Sequence, residues 1–254
     1  MMNKTIDEKC KNVVKSLNDY YKGNKDLANI EFPSNIIINS HEYYLYIFYS
    51  CLLNYGMRSK VYNQNLINTY KDVPNLFNPN YIITLNEESL KSQLIKNIHP
   101  RYPNVGTRKW MELSKQLIQY KNLPDDLKIL KSIGELNEFI KGIKGYGRKT
   151  GNLLIRMIRD SKICNFTEEI ESIPIDRHDI EISYLTGITN KLKLNDKEIE
   201  YLSNAYVESG NDLNISPSNI DKYLWELGAT LCTKKKCSEC PLNIYCKNVQ
   251  NKSK

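Results

Sequence analysis

The sequence predicts an all-α protein. Apolar residues recur at three- and four-residue spacing along most of the 254 residues, and no stretch alternates apolar and polar side chains long enough to build a sheet. Pro and Asn-Pro signals divide the chain into helix-length pieces.

The first helix is expected over about 5–21, where Cys10, Val13, Val14, Leu17 and the Tyr20-Tyr21 pair mark one face. Pro33, Ser34 and Asn35 then break the pattern. The run HEYYLYIFYSCLLN over 41–54 is apolar on nearly every side, which suits a helix at the centre of a bundle. Further helices are expected at 64–70, 87–96, 107–119 and 133–141, with stops at Pro74, Asn78-Pro79, Pro100 to Pro103, and Pro124. No Gly/Pro/Ser linker and no repeat interrupts them, so two closely packed helical lobes follow.

With 36 Lys+Arg against 29 Asp+Glu the net charge is +7, a modest bias toward anionic partners such as nucleic acid. A chain that is 41% hydrophobic and 26% charged has globular rather than disordered proportions. It contains no apolar run of the roughly 20 residues that span a bilayer, and its start lacks the apolar core of an export signal. An intracellular protein with no membrane partner is expected, and there the seven cysteines suggest metal ligands before disulfides.

The most informative internal stretch runs from Phe139 to Leu154 and reads FIKGIKGYGRKTGNLL: an apolar helix end, two glycines flanking one residue, then a new amphipathic helix. Gly145 and Gly147 permit a tight turn and close backbone approach. A helix opening near Arg148 points free N–H groups and its positive dipole end outward, which suits a phosphate. Lys144, Arg148 and Lys149 add cationic charge to that turn. The pattern reads as a helix–hairpin–helix over about 133–158, gripping DNA without regard to sequence. It is also compatible with an ordinary helical hairpin.

Further on, Ser172-Ile-Pro-Ile-Asp176-Arg-His178 places an acidic residue after an apolar approach. Alone, such an Asp after a Pro reads as a helix N-cap. At the C-terminal end, Cys232, Cys237, Cys240 and Cys246 follow the spacing C-x4-C-x2-C-x5-C. Four thiolates this close suit either a tetrahedral zinc or an iron–sulfur cubane. Cys10, Cys51 and Cys164 read as buried thiols.

Together these segments resemble the endonuclease III family of helix–hairpin–helix DNA glycosylases, most strongly over 139–246. The family hairpin reads Leu-Pro-Gly-Val-Gly-x-Lys-Thr-Ala, and this chain reads Ile143-Lys-Gly-Tyr-Gly-Arg-Lys149-Thr-Gly151. Lys149 falls on the family's catalytic lysine. Asp176, in Ile175-Asp-Arg-His178, falls on the aspartate of its Val-Asp-x-His motif. The family carries a [4Fe-4S] cluster on C-x6-C-x2-C-x5-C, with Pro-Leu after the third ligand as in Cys240-Pro241-Leu242. Three departures stand out: Lys144 replaces a proline, Gly151 replaces an alanine, and the first cysteine gap is two residues shorter. The lysine-to-aspartate interval is also longer, with an inserted loop around 165–172.

What the resemblance implies is a two-lobed helix–hairpin–helix glycosylase fold. A helical barrel over 39–160 would end in the hairpin, and 1–38 with 161–254 would form a discontinuous domain carrying the cluster loop, with Lys149 and Asp176 across the cleft between the lobes. It implies a monomeric, bifunctional DNA glycosylase/AP lyase of base excision repair, acting on duplex DNA with an oxidised base (an oxidised pyrimidine or 8-oxoguanine) or an abasic site. The alternatives are a monofunctional mismatch glycosylase and a non-catalytic iron–sulfur DNA-binding protein, with zinc as the other cofactor. The expected location is the cytoplasm, at the nucleoid, or the nucleus of a eukaryote.

The chemistry fits these residue types. Breaking an N-glycosidic bond builds positive charge on the sugar, which the Asp176 carboxylate would stabilise. Lys149 would attack C1′ as a neutral amine, a form favoured by a helix N-terminus, by Arg148 and by a desolvated pocket. His178 reads either as a residue orienting Asp176 or the DNA backbone, or as a packed histidine. Lys234, Lys235 and Lys236 would meet DNA from the cluster loop. A flipped base leaves a hole to be filled; Asn54 in Leu52-Leu53-Asn54-Tyr55-Gly56-Met57-Arg58 is the candidate wedge, with Tyr55 next, and a helix C-cap is its alternative. Tyr44, Tyr49, Tyr55, Trp110 and Tyr146 are aromatic enough to stack that base, yet their helical spacing also suits a core.

Overall fold

The computed structural model describes residues 4–24, 27, 31–54, 59–164, 166, 170 and 172–250. Among them every regular element is helical and there is no strand. No helix is long and apolar enough to cross a membrane among the described residues. The chain divides into two compact units, Ile30–Glu168 and the discontinuous pair Met1–Asn29 with Glu169–Lys254.

Helix α1 (Lys4–Tyr21) belongs to the discontinuous unit. The central unit runs through α2 (His41–Leu52), α3 (Ser59–Asp72), α4 (Pro79–Ile82), α5 (Glu87–Asn97), α6 (Pro103–Leu117), α7 (Leu123–Lys128), α8 (Ile133–Lys141) and α9 (Arg148–Asp160). The discontinuous unit resumes with α10 (Arg177–Leu185), α11 (Asp196–Leu213), α12 (Pro217–Glu226), a π turn at Leu227–Cys232 and the short α13 (Lys247–Gln250).

In the central unit, α2 is buried all round from Tyr43 to Leu52, as its unbroken apolar run requires. Ser40 caps it by accepting from the Tyr43 amide at 3.1 Å. Tyr49 stacks on Trp110 with ring centroids 4.5 Å apart, and the Trp110 indole donates to the Leu76 carbonyl at 2.8 Å. The unit begins earlier than residue 39 because Phe32 stacks on Tyr43 at 4.7 Å and Ile36 is buried. It extends past residue 160 because the buried Cys164 thiol donates to the Leu127 carbonyl at 3.2 Å.

In the discontinuous unit, α1 packs on α11 and α12 through Cys10, Val13, Val14, Leu17 and Tyr21. Tyr21 stacks on Tyr223 at 5.6 Å. The buried Tyr206 hydroxyl meets the Ser183 hydroxyl at 2.8 Å, which ties α11 to α10.

Four expected stops are also helix starts: Pro74 opens a 3₁₀ turn over Pro74–Phe77, Pro79 opens α4, Pro103 opens α6, and Pro124 is the second residue of α7. Proline lacks the N–H that a first turn leaves unpaired, and its fixed φ already suits a helix. The central helix ends at Leu52, two residues before the expected end.

Candidate DNA-binding hairpin, aspartate and cysteine cluster

The hairpin is built within the central unit. Helix α8 ends at Lys141, and α9 opens at Arg148. Only one of the two glycines needs a glycine's freedom: Gly145 has φ +112°, a conformation that L side chains rarely adopt. Gly147 is the N-cap at φ −93°, ψ 177°, and a Cβ there would meet nothing within 4 Å. The space beside it lies open at the start of a helix whose dipole is positive there. The Gly147 amide donates to the Thr150 hydroxyl at 3.0 Å, closing the first turn from within.

Three anchors hold the turn. The Tyr146 hydroxyl donates to the Phe48 carbonyl on α2 at 2.7 Å. The Lys109 ammonium donates to the Gly145 carbonyl at 2.8 Å, and burial lowers the Lys109 pKa. Gln116 holds Lys144 from both sides, accepting from its amide at 2.8 Å and donating to its carbonyl at 3.2 Å. That amide explains the departure at Lys144, because a proline there would have no N–H to offer. Gly151 is accommodated as easily as an alanine, since a Cβ would lie 3.8 Å from Tyr146 Cβ, an ordinary contact.

Lys149 is the second residue of α9 and half-buried, while Arg148 and Lys144 are exposed. Lys109 and Gln116 escaped the sequence reading. Their signal was the seven-residue spacing that places them two turns apart on one face of α6.

Asp176 lies in the discontinuous unit as the N-cap of α10. Its carboxylate accepts from the His178 amide at 2.7 Å and, more weakly, from the Asp179 amide at 3.4 Å. The Asp179 carboxylate returns the contact, accepting from the Asp176 amide at 2.6 Å. The capping geometry expected of an Asp after Pro is therefore present, and it fixes where a half-buried carboxylate points. His178 is half-buried, with its side chain against Gly228.

Cys232 closes the π turn, and Cys237, Cys240 and Cys246 follow along two short 3₁₀ turns. None of the four is in a disulfide. Among the described residues, no group of three or more His, Cys, Asp or Glu side chains is placed to hold a single metal ion. The four thiols still act on one another. Burial, then the charges of Glu181, Cys240, Cys246 and Cys237, pushes the Cys232 thiol up to about 11, and burial raises Cys240 as well. Four cysteines are the donor chemistry of a group that takes four thiolates, although among the described residues their side chains are not gathered around one point. The shortened first gap is closed by Lys235 at φ +54° and by amides of Lys235 and Lys236 donating to the Cys232 and Leu231 carbonyls at 3.0 and 2.9 Å. Lys234, Lys235 and Lys236 are exposed, and Lys236 pairs with Glu239 at 3.2 Å.

Asn54 is half-buried just past the end of α2, where Leu53 is the C-cap. Tyr55, Gly56, Met57 and Arg58 lie outside the described residues, as does most of the expected insertion at 165–172. Tyr44, Tyr49 and Trp110 are wholly buried, so they are core rather than a surface for a base. Cys10, Cys51 and Cys164 are buried thiols.

No protein-family model and no curated protein sequence matches the chain. Its fold, however, is that of the helix–hairpin–helix DNA glycosylases. It is similar to endonuclease III in a trapped covalent intermediate with DNA, at 15% identity over 96% of this chain and 99% of that one, with a TM-score of 0.65. A thermostable thymine-DNA glycosylase matches at 14% identity over 96% and 98%, TM-score 0.61. The 8-oxoguanine glycosylase/lyase of Methanocaldococcus jannaschii, solved with 8-oxoguanine DNA, matches at 19% over 87% and 88%, TM-score 0.53.

Proposed function

We propose that this protein is a bifunctional DNA glycosylase/AP lyase that removes an oxidised base, an oxidised pyrimidine or 8-oxoguanine, from duplex DNA as a monomer. The observation that carries the reading is the hairpin: Lys149 is half-buried in the first turn of α9, beside the open backbone at Gly147, on the glycosylase fold. The other half of the chemistry comes from Asp176, whose carboxylate is held by its own helix.

In this mechanism the hairpin amides and Lys144 and Arg148 bind phosphate, positioning the strand without reading it. The Lys149 amine attacks C1′ as the C1′–N bond breaks, and the base leaves with the bonding electrons. Asp176 stabilises the positive charge that develops on the sugar and accepts the proton released by the attacking amine. The C1′–O4′ bond of the resulting adduct then breaks as O4′ takes back the proton held by Asp176, opening the sugar to a Schiff base whose C2′ proton is acidic, so that its removal expels the 3′ phosphate by β-elimination. Asn54 fills the space left by the flipped base.

Cys232, Cys237, Cys240 and Cys246 hold a [4Fe-4S] cluster in this reading, with zinc as the alternative. Bound there, the cluster supplies a covalent cross-link that fixes the loop without entering the chemistry. Lys234, Lys235 and Lys236 are then presented to phosphates.

Borohydride trapping on duplexes carrying thymine glycol, 8-oxoguanine, uracil or an abasic site tests the activity. A covalent protein–DNA band that disappears in Lys149→Gln, with DNA binding retained, is expected. Trapping at the wild-type level by that variant overturns the nucleophile. Base release without a covalent band makes the enzyme monofunctional, and bound DNA with neither leaves a binding protein. Iron and acid-labile sulfide in the purified protein support the cluster; zinc in their place replaces it.

A further inference from the structure

Asp176 and Cys232 lie in the same unit, and the segments that carry them meet at one point. Gly228, the second residue of the π turn, lies against His178, the second residue of α10. A Cβ on Gly228 would sit 2.4 Å from His178 Cβ, 2.8 Å from its Cγ and 3.1 Å from its Nδ1. A change of rotamer gives no relief, because the nearest atom is the His178 Cβ, which only the backbone can move.

That backbone is coupled to the carboxylate. The His178 amide donates to Asp176 Oδ1 at 2.7 Å, so a displaced His178 pulls on the Asp176 side chain. On its other side Gly228 is held as well: the Thr233 amide and hydroxyl both donate to the Gly228 carbonyl, at 3.1 and 2.6 Å. These contacts define the wide turn that ends at Cys232. Glycine is disfavoured inside helical turns, and its φ here is not positive, so space rather than backbone freedom accounts for it.

Resting on the role proposed for Asp176, the geometry points to Gly228 as a positioning residue for that carboxylate. It touches neither substrate nor reacting atoms. Its missing side chain lets α10 seat against the segment that carries the first cysteine of the cluster, and this sets where the first turn presents Asp176.

The test compares Gly228→Ala with His178→Gly, with Gly228→Ala/His178→Gly, which removes the opposing Cβ, and with Gly210→Ala. The last is a control of similar crowding elsewhere, since a Cβ on Gly210 would lie 2.6 Å from the Ile215 carbonyl oxygen and from Ile220 Cδ1. Amide hydrogen exchange over 177–180 reports the seat of the helix whether or not any base is released. Single-turnover base release and DNA affinity report its consequence.

Gly228→Ala is expected to raise exchange at 177–180 and to slow base release about tenfold or more, since a misplacement of about 1 Å can cost about a hundredfold. DNA affinity should stay near the wild-type value, and the double variant should regain the rate of His178→Gly alone. Gly210→Ala should show neither selective effect. Wild-type exchange at 177–180 in Gly228→Ala overturns the inference, as does a loss of rate and affinity in parallel with Gly210→Ala. If Gly228→Ala does not fold, recovery of a folded protein in the double variant upholds the contact and failure to recover overturns it. A wild-type protein that releases no base defeats the proposed function, while exchange still decides the placement.

Discussion

Tyr146 reaches from the tip of the hairpin to the carbonyl of Phe48 in the central helix, 98 residues earlier in the chain, at 2.7 Å. The middle residue of the turn is thus an anchor as well as a spacer, and burial raises its phenol pKa well above the usual value. Tyr146→Phe keeps the ring and loses the donor, which should lower stability by about 1 kcal/mol. Thermal melts of the two proteins check this, and equal midpoints would remove the bond from the hairpin's support.

Gly151 offers a gain instead. It lies inside α9 with room for a methyl group, so Gly151→Ala should stabilise the protein by about 0.5–1 kcal/mol through helix propensity and a less flexible unfolded chain. Denaturant unfolding measures it. A lower midpoint would mean that the contact with Tyr146 is tighter than its 3.8 Å suggests.

Cap and charge can be separated at Asp176. Asparagine caps a helix about as well as aspartate, whereas alanine costs about 0.5–2 kcal/mol. Asp176→Asn should therefore melt near wild type yet release base far more slowly. Asp176→Ala should lose both. Comparable rates in wild type and Asp176→Asn would leave the residue with its cap alone.

His41 should make stability depend on pH. Its Nδ1 accepts from the Leu123 amide at 3.0 Å, which requires the neutral ring, and burial lowers its pKa from 6.5 despite the nearby Glu42 and Asp126. Below 6.5 the unfolded chain binds more protons than the folded one, so stability rises with pH there. The contribution is complete above 6.5 and is lost as pH falls through the lower folded value. Melts of wild type and His41→Gln should converge toward acid pH. A constant difference between them would assign the effect to other groups.

Much of this was legible because it is local. A hairpin with one left-handed glycine, a cap after Ile-Pro-Ile and a helix buried on every face each leave their mark within a few residues. Pro74, Pro79, Pro103 and Pro124 read as stops yet open helical turns, because proline marks a boundary without saying on which side the helix lies. The clamp from Lys109 and Gln116 and the contact between Gly228 and His178 join residues 28 to 50 positions apart. No periodicity records such pairs. The π turn is hidden too, since its sequence Leu-Gly-Ala-Thr-Leu-Cys differs little from ordinary helix.

The pairing of α1 with α11 and α12 also has a consequence for synthesis. During translation α1 emerges well before the helices that cover its apolar face, which begin only at Asp196 and Pro217. At about 5–20 residues per second the ribosome leaves that face without its native partners for roughly ten seconds or more. The central unit is complete by Glu168, so it can be finished while the first helix still waits. A nascent chain stalled between the two points should expose α1 to chaperones, and one released after α12 should not.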